Sequence, residues 1–179
     1  MKELRQKIRQ QRQKITRSER FIASKKLSSQ ILKNYLFKTP QNIALYLPFD
    51  GEIETQYLIT TLKKFNHKIF IPVLFKEKLL FSRLTNSLIK NRFGIKEPKI
   101  KNIILKSKIN TVFMPLVAFD KSANRLGMGG GFYDKTFSNN KRVKLYGLAF
   151  DCQFVQTLKI NNWDVQLNAV ITPTRIVKS

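Results

Sequence analysis

The first 35 residues carry a helical rhythm, in which Leu4, Ile8 and Ile15 recur at spacings of four and seven among Lys, Arg and Gln. Thr16 and Glu19 have the spacing of a capping box, so a second helix starts there and runs through Phe21, Leu27, Ile31 and Leu32, with a break within residues 14–18. Lys2, Arg5, Arg9 and Arg12 then read mostly as a solvated helix face. After "KTPQ" the texture changes to short apolar runs divided by turn residues. "NIALYL" ends at "PFDG", "TQYLITTLKKF" is helical, and "KIFIPVLF" is a further strand; "LLFSRL", "TVFMPLVAF", "KLYGLAF" and "NAVIT" follow as strands.

Strands alternating with helices predict an α/β fold, a three-layer sandwich with a mostly parallel sheet and the N-terminal helices packed on it, over a single domain spanning residues 1–179. Ligands of such sheets gather at the carboxyl ends of the strands. No apolar run approaches the roughly 20 residues of a membrane span. The N-terminus is charged from Lys2 onward, unlike a secretory signal, and Cys152 is the lone cysteine. A cytoplasmic protein without disulfides or a cysteine zinc site is expected, acting as a monomer or weak dimer. His67 reads as a surface residue, Trp163 as an anchor of the C-terminal segment and Cys152 as inert.

Charge adds a question about partners. Lys and Arg number 34 against 11 Asp and Glu, for a formal charge of +23. Polyanions are attracted to such a surface, and a composition rich in Lys, Asn, Ile and Phe arises equally from A/T-rich codons.

The chemistry concentrates in "RLGMGGGFYD", residues 125–134, which holds four of the seven glycines in five positions. Clustered glycines let amide N–H groups converge on an anion, and a helix start just beyond, at about Phe132, points the same way. Phe132 occupies the place where a dinucleotide fingerprint needs a third small residue, and no Gly-Lys-Ser/Thr is present for a P-loop. Arg125 can clamp a phosphate, and Asp134 is a hard oxygen ligand suited to Mg²⁺. A bare glycine turn that only permits close packing remains the structural alternative.

These segments resemble a known family. "MPLVAFDKSANRLGMGGGFYDKTF" is similar to the signature of the 5-formyltetrahydrofolate cyclo-ligases, and "LYLPFDGEIETQYLI", "RFGIKEP", "YGLAFDCQFV" and "WDVQLNAVIT" extend the likeness to about residue 172. The resemblance implies conversion of ATP and 5-formyltetrahydrofolate, polyglutamylated or not, to 5,10-methenyltetrahydrofolate, ADP and phosphate with Mg²⁺. It places Lys2, Arg5, Arg125, Leu126, Gly127, Met128, Gly129, Gly130, Gly131, Phe132 and Tyr133 around ATP. Leu47, Glu52 and Phe93, with the glycine loop from Met128 to Phe132, fall at the folate. Tyr133 and Glu52 stand closest to the chemistry, and Asp134 with Asn168 is associated with the metal. Three departures from the family pattern stand out. Met1 holds the usual lysine position, leaving Lys2 to reach from one residue away; Asn168 replaces a frequent aspartate, with Asp164 as a substitute; and Phe132 replaces a frequent tyrosine.

Two rival classes stay open: a basic nucleic-acid-binding protein, and another ATP-dependent ligase or kinase on the same scaffold. The first lacks a helix-turn-helix, zinc-finger or RNP1 signature, so no specific nucleic acid is expected. The second conflicts with the folate-side likeness of "GEIET" and "RFGIKEP".

Overall fold

The computed structural model describes residues 1–34, 39–99, 102–140 and 142–179; residue 35, the last of the predicted helical stretch, lies outside them. Helix α1 (Lys2–Gln13) and helix α2 (Arg17–Asn34) are separated where the capping box foretold. Glu19 N–H donates to Thr16 Oγ1 (3.3 Å), and Thr16 N–H donates to Glu19 Oε2 (2.8 Å), so two amides at the start of α2 are satisfied reciprocally. Arg20 closes the break from the other side by donating to the carbonyls of Ile15 (2.9 Å) and Arg12 (3.1 Å) at the end of α1.

Strand β1 (Asn42–Ala44), helix α3 (Gln56–Lys64) and strand β2 (Lys68–Phe75) form the predicted strand, helix, strand unit, and β1 lies parallel to β2 with Ile43 opposite Ile69. Next come β3 (Lys78–Arg83), β4 (Leu88–Lys90), β5 (Lys96–Pro98), β6 (Ile103–Ile104) and β7 (Thr111–Pro115). They are followed by β8 (Ala118–Phe119), β9 (Arg125–Leu126), helix α4 (Phe132–Phe137), β10 (Lys144–Leu148), β11 (Ala169–Ile171) and β12 (Ile176–Lys178). The large sheet runs in the order β12-β11-β10-β7-β1-β2-β3-β6. Its centre, from β2 through β11, is parallel; β3, β6 and β12 pair antiparallel at the edges. The α/β class with a mostly parallel sheet is borne out.

Alternation along the central strands divides the core in two. Phe113, Ile43, Leu45 and Ile69 pack with Leu27 and Ile31 of α2 and with Leu58, Ile59 and Leu62 of α3 on one face. Val112, Met114, Ala44 and Phe70 pack with Phe137 of α4 on the other. Each fully buried Val, Leu, Ile, Met or Phe side chain among these contributes ~1.5–3 kcal/mol of apolar transfer free energy. The N-terminal helices part company here. α2 lies on the sheet, whereas Ile8 of α1 packs on the small β8–β9 ribbon with Val117, Ala118, Leu126 and Leu158.

Three side-chain expectations change. Phe21 is exposed, because the apolar stripe of α2 that meets the sheet runs through Leu27 and Ile31. Trp163 is also exposed and anchors nothing. His67 is buried instead of superficial: Lys68 N–H donates to Gln41 O (2.8 Å), drawing the end of α3 under the strand, and His67 Nδ1 accepts the Gln41 N–H (3.1 Å). Burial holds its pKa below the usual imidazole value. Cys152 is exposed, and partial burial with the nearby Asp151 charge raises its thiol pKa, which fits an unreactive cysteine.

Candidate active site

The parallel strands end in loops, and the connections that follow β1 and β7 enclose a cavity of about 470 Å³, a size suited to a small-molecule substrate. Tyr46, Leu47 and Glu52 come from the loop after β1, Pro115 and Leu116 from the end of β7, and Arg125, Gly127, Met128 and Gly130 through Asp134 from the glycine segment. Phe93 enters from the turn between β4 and β5. The cavity therefore lies at the carboxyl edge of the sheet, where the strand order predicts a ligand.

The glycine loop is shaped by its neighbours. A Cβ at Gly130 would lie 2.6 Å from the Phe132 ring, so only glycine lets that ring fold back beneath the loop. Gly131 precedes α4 with φ +64, a left-handed conformation that a side chain disfavours. Among the described residues no protein acceptor meets the amide N–H groups of Gly129, Gly130 and Gly131, which leaves donors for an anion. Helix α4 has six residues and adds only a weak dipole. Cations do more: Arg5 reaches across from α1, its Nε donating to Gly127 O at 2.8 Å, with its guanidinium carbon 3.8 Å from where a Gly129 Cβ would stand. Lys2 is exposed at the start of the same helix. Leu126 turns its side chain into the packing beneath α1, so any contact it makes to a nucleotide is through main chain.

Arg125 is only 5% exposed and does not stand free as a clamp. Its Nη2 pairs with Asp134 Oδ1 at 2.6 Å and its Nη1 donates to Val165 O at 2.8 Å; Val165 N–H donates to the same Asp134 oxygen at 3.0 Å. Asp134 Oδ2 faces no protein donor among the described residues. No three His, Cys, Asp or Glu side chains cluster into a metal cage among the described residues. One carboxylate beside a glycine loop with unpaired amides would fit a Mg²⁺ ion that needs few protein ligands. Asn168 and Asp164 do not join it. Asn168 stands at the amino edge of β11, where its Oδ1 accepts the Leu145 N–H (2.8 Å) in place of a ladder bond, and Asp164 Oδ2 caps its own turn by accepting the Asn161 N–H (2.7 Å).

Glu52 forms the opposite wall. Its Oε2 accepts the Phe49 N–H at 3.1 Å, and burial against the cavity pushes its carboxyl up to about 7, a rise opposed by that amide and by the Arg12 charge and assisted by Asp50. Burial first, then the Glu52 charge, raises the Tyr133 phenol well above its ordinary value, with Arg125 pulling it down. The buried Tyr46, whose hydroxyl donates to Ile53 O at 2.9 Å, is raised by the same two effects. Perturbed groups facing one cavity make it a candidate functional site. Phe93 is 47% exposed and meets Phe132 edge to face at 6.3 Å, so it stands at the cavity mouth and not in the core. Asn91 Oδ1 holds that turn by accepting the Phe93 and Ile95 N–H groups (3.0 and 3.1 Å).

Sequence patterning overlooked Tyr46, Asn91, Arg12 and Asp50. Asn91 had a usable signal, the turn-forming "NRFG"; the buried Arg12 had none, since its helix face reads as solvated.

The sequence pattern of the 5-formyltetrahydrofolate cyclo-ligase family matches residues 1–173. The chain belongs to this family. It is 42% identical over 174 residues to the 5-formyltetrahydrofolate cyclo-ligase of Haemophilus influenzae, covering 92% of this chain and 93% of that one. With the Escherichia coli K12 cyclo-ligase it shares 35% over 178 residues, covering 94% and 98%. The Aquifex aeolicus 5,10-methenyltetrahydrofolate synthetase structure superposes with a TM-score of 0.84 at 28% identity, over 99% of this chain and 91% of that one. Family and enzyme class thus agree with the sequence reading, and among the described residues no helix is long and apolar enough to cross a membrane.

Proposed function

We propose that the cavity binds ATP and 5-formyltetrahydrofolate together and closes the five-membered ring of 5,10-methenyltetrahydrofolate. The supporting observation is the convergence of Glu52, Tyr133, Gly130 and Gly131 on one cavity, with Arg5 crossing the same loop. A formamide oxygen is a poor leaving group, so the formyl oxygen first attacks the γ-phosphorus and ADP departs. N10 then adds to the activated formyl carbon, loses its proton, and the oxygen leaves within phosphate. Both steps demand alignment and charge neutralisation more than covalent participation by the protein.

The residues divide accordingly. The glycine-loop amides and Arg5 hold the triphosphate, with Lys2 at the rim, and the buried Arg125 fixes Asp134 behind them. Mg²⁺, when bound by the phosphates and Asp134, supplies neutralisation of developing charge. Leu47 and Phe93 flank the pteridine, and Phe132 backs the loop against it. A Glu52 carboxyl poised near 7 is half ionised at neutral pH and accepts the N10 proton. The neutral Tyr133 hydroxyl, beside both Glu52 and Arg125, donates to the formyl or phosphoryl oxygen. The test is a rise in methenyl absorbance matched by ADP formation when purified protein, Mg²⁺, ATP and 5-formyltetrahydrofolate are combined. A rate no greater than that without protein overturns the reading.

A further inference from the structure

Two segments that build the cavity meet at one side chain distant from both in sequence. Arg12 is 1% exposed. Its Nη2 donates to the Asp50 carboxylate (3.0 Å) and to the Asp50 carbonyl (2.7 Å), and its Nη1 reaches Leu116 O (3.4 Å). Arg9 Nε and Gln13 Nε2 add bonds to the same carboxylate at 2.6 and 2.9 Å. The segment so gripped is a tight turn: Asp50 (φ +51) and Gly51 (φ +75) are consecutive left-handed residues, a geometry that Asp-Gly favours and that the arginine contacts fix in place. The next residue is Glu52, bonded back to Phe49 N–H. Leu116 lies in the cavity wall, and the helix that carries Arg12 also delivers Arg5 to the glycine loop. Burying a guanidinium whose Nε has no acceptor is unfavourable, and a simple helix-to-loop contact does not require it.

We propose that Arg12 is a positioning residue, which, anchored on Asp50 and Leu116, holds the Glu52 turn at the cavity wall while the same helix fixes the nucleotide side. Lysine cannot serve, because an ammonium presents no planar fork to acceptors on two different segments. The inference rests on Glu52 acting at the folate.

The experiment compares wild type, Arg12→Lys and Asp50→Asn; asparagine tolerates the left-handed backbone but removes the charge that the two arginines share. Steady-state constants are measured for both substrates after each variant is shown to melt cooperatively. The expected result is a loss of roughly tenfold or more in kcat/KM for 5-formyltetrahydrofolate in Arg12→Lys, a smaller loss in Asp50→Asn, and a KM for ATP within roughly threefold of wild type in both. Unchanged folate constants, or equal damage to both substrates, overturn the proposal. So does failure of both variants to melt cooperatively, which would make the pair a general folding element.

A readout independent of turnover separates this inference from the proposed activity. The Glu52 carboxyl is titrated by ¹³C NMR, its neighbours being the Phe49 amide, Arg12 on α1, Asp50 on its own turn, Tyr46 from the β1 side and Tyr133 from α4. A midpoint displaced by roughly half a pH unit or more in Arg12→Lys, which keeps the positive charge, supports positioning even if wild type has no cyclo-ligase activity. An unmoved midpoint in that variant sinks it.

Discussion

The two ends of the cavity are built in opposite ways. At the glycine-loop end, ten consecutive residues supply the amides, the buried cation and the carboxylate, and Arg125 pairs with Asp134 nine residues later. At the other end, Glu52 sits on a short turn whose left-handed residues are held by Arg9, Arg12 and Gln13, about forty positions earlier in the chain. A phosphate site needs closely spaced donors on a loop, and one contiguous segment can provide them. A carboxyl tuned to about 7 needs a wall, a solvent boundary and counter-charges from several elements, which only assembly provides.

Removing the carboxylate at the glycine-loop end should separate the ends most sharply. Asp134→Ala is expected to lower turnover by roughly 10³-fold while folate still binds. It also strips the partner from the buried Arg125, so its melting temperature falls too. Methenyl absorbance and thermal melting check both effects, and near-normal turnover would remove Asp134 from the site.

Glu52→Gln should cut folate turnover by roughly 10²-fold and leave ATP binding nearly intact. Its pH behaviour is distinctive. Glutamate acts as a base only when ionised, so wild-type kcat/KM for the folate rises with pH through about 7, and the variant loses that limb. Stability runs the other way. Because the folded pKa is raised from 4.5 to about 7, the contribution of protonated Glu52 is complete below about 4.5 and lost as pH rises through about 7. At pH 8 the glutamine variant should therefore melt above wild type, a gain in stability obtained by losing function.

Gly130→Ala probes how the two ends share the loop. The new methyl group pushes the Phe132 ring away from its place 2.6 Å distant and disturbs its edge contact with Phe93. A rise of roughly tenfold in folate KM, larger than that for ATP, is expected from such overpacking beside the ligand. The smallest effect belongs to Lys2→Ala, since Lys2 is exposed at a helix start: roughly two- to fivefold in ATP KM, diminishing as salt rises. If Lys2→Ala proved as damaging as Arg5→Ala, the difference drawn between rim and loop would be wrong.

The amino-acid sequence by itself determined the alternation of strands and helices, the break at Thr16 and the glycine loop, because each depends on spacing within a few residues: a helical period, a capping box, a cluster of residues free to take positive φ. It also carried Glu52 and Phe93 through resemblance, without saying how they reach the cavity. Tertiary structure alone decided that the sheet edges run antiparallel, that Asn168 stands at the far ends of the strands and that Arg12 is buried. Those outcomes turn on which distant groups compete for the same hydrogen bonds. An arginine on a basic helix looks solvated until a carboxylate on a left-handed turn forty residues away closes over it.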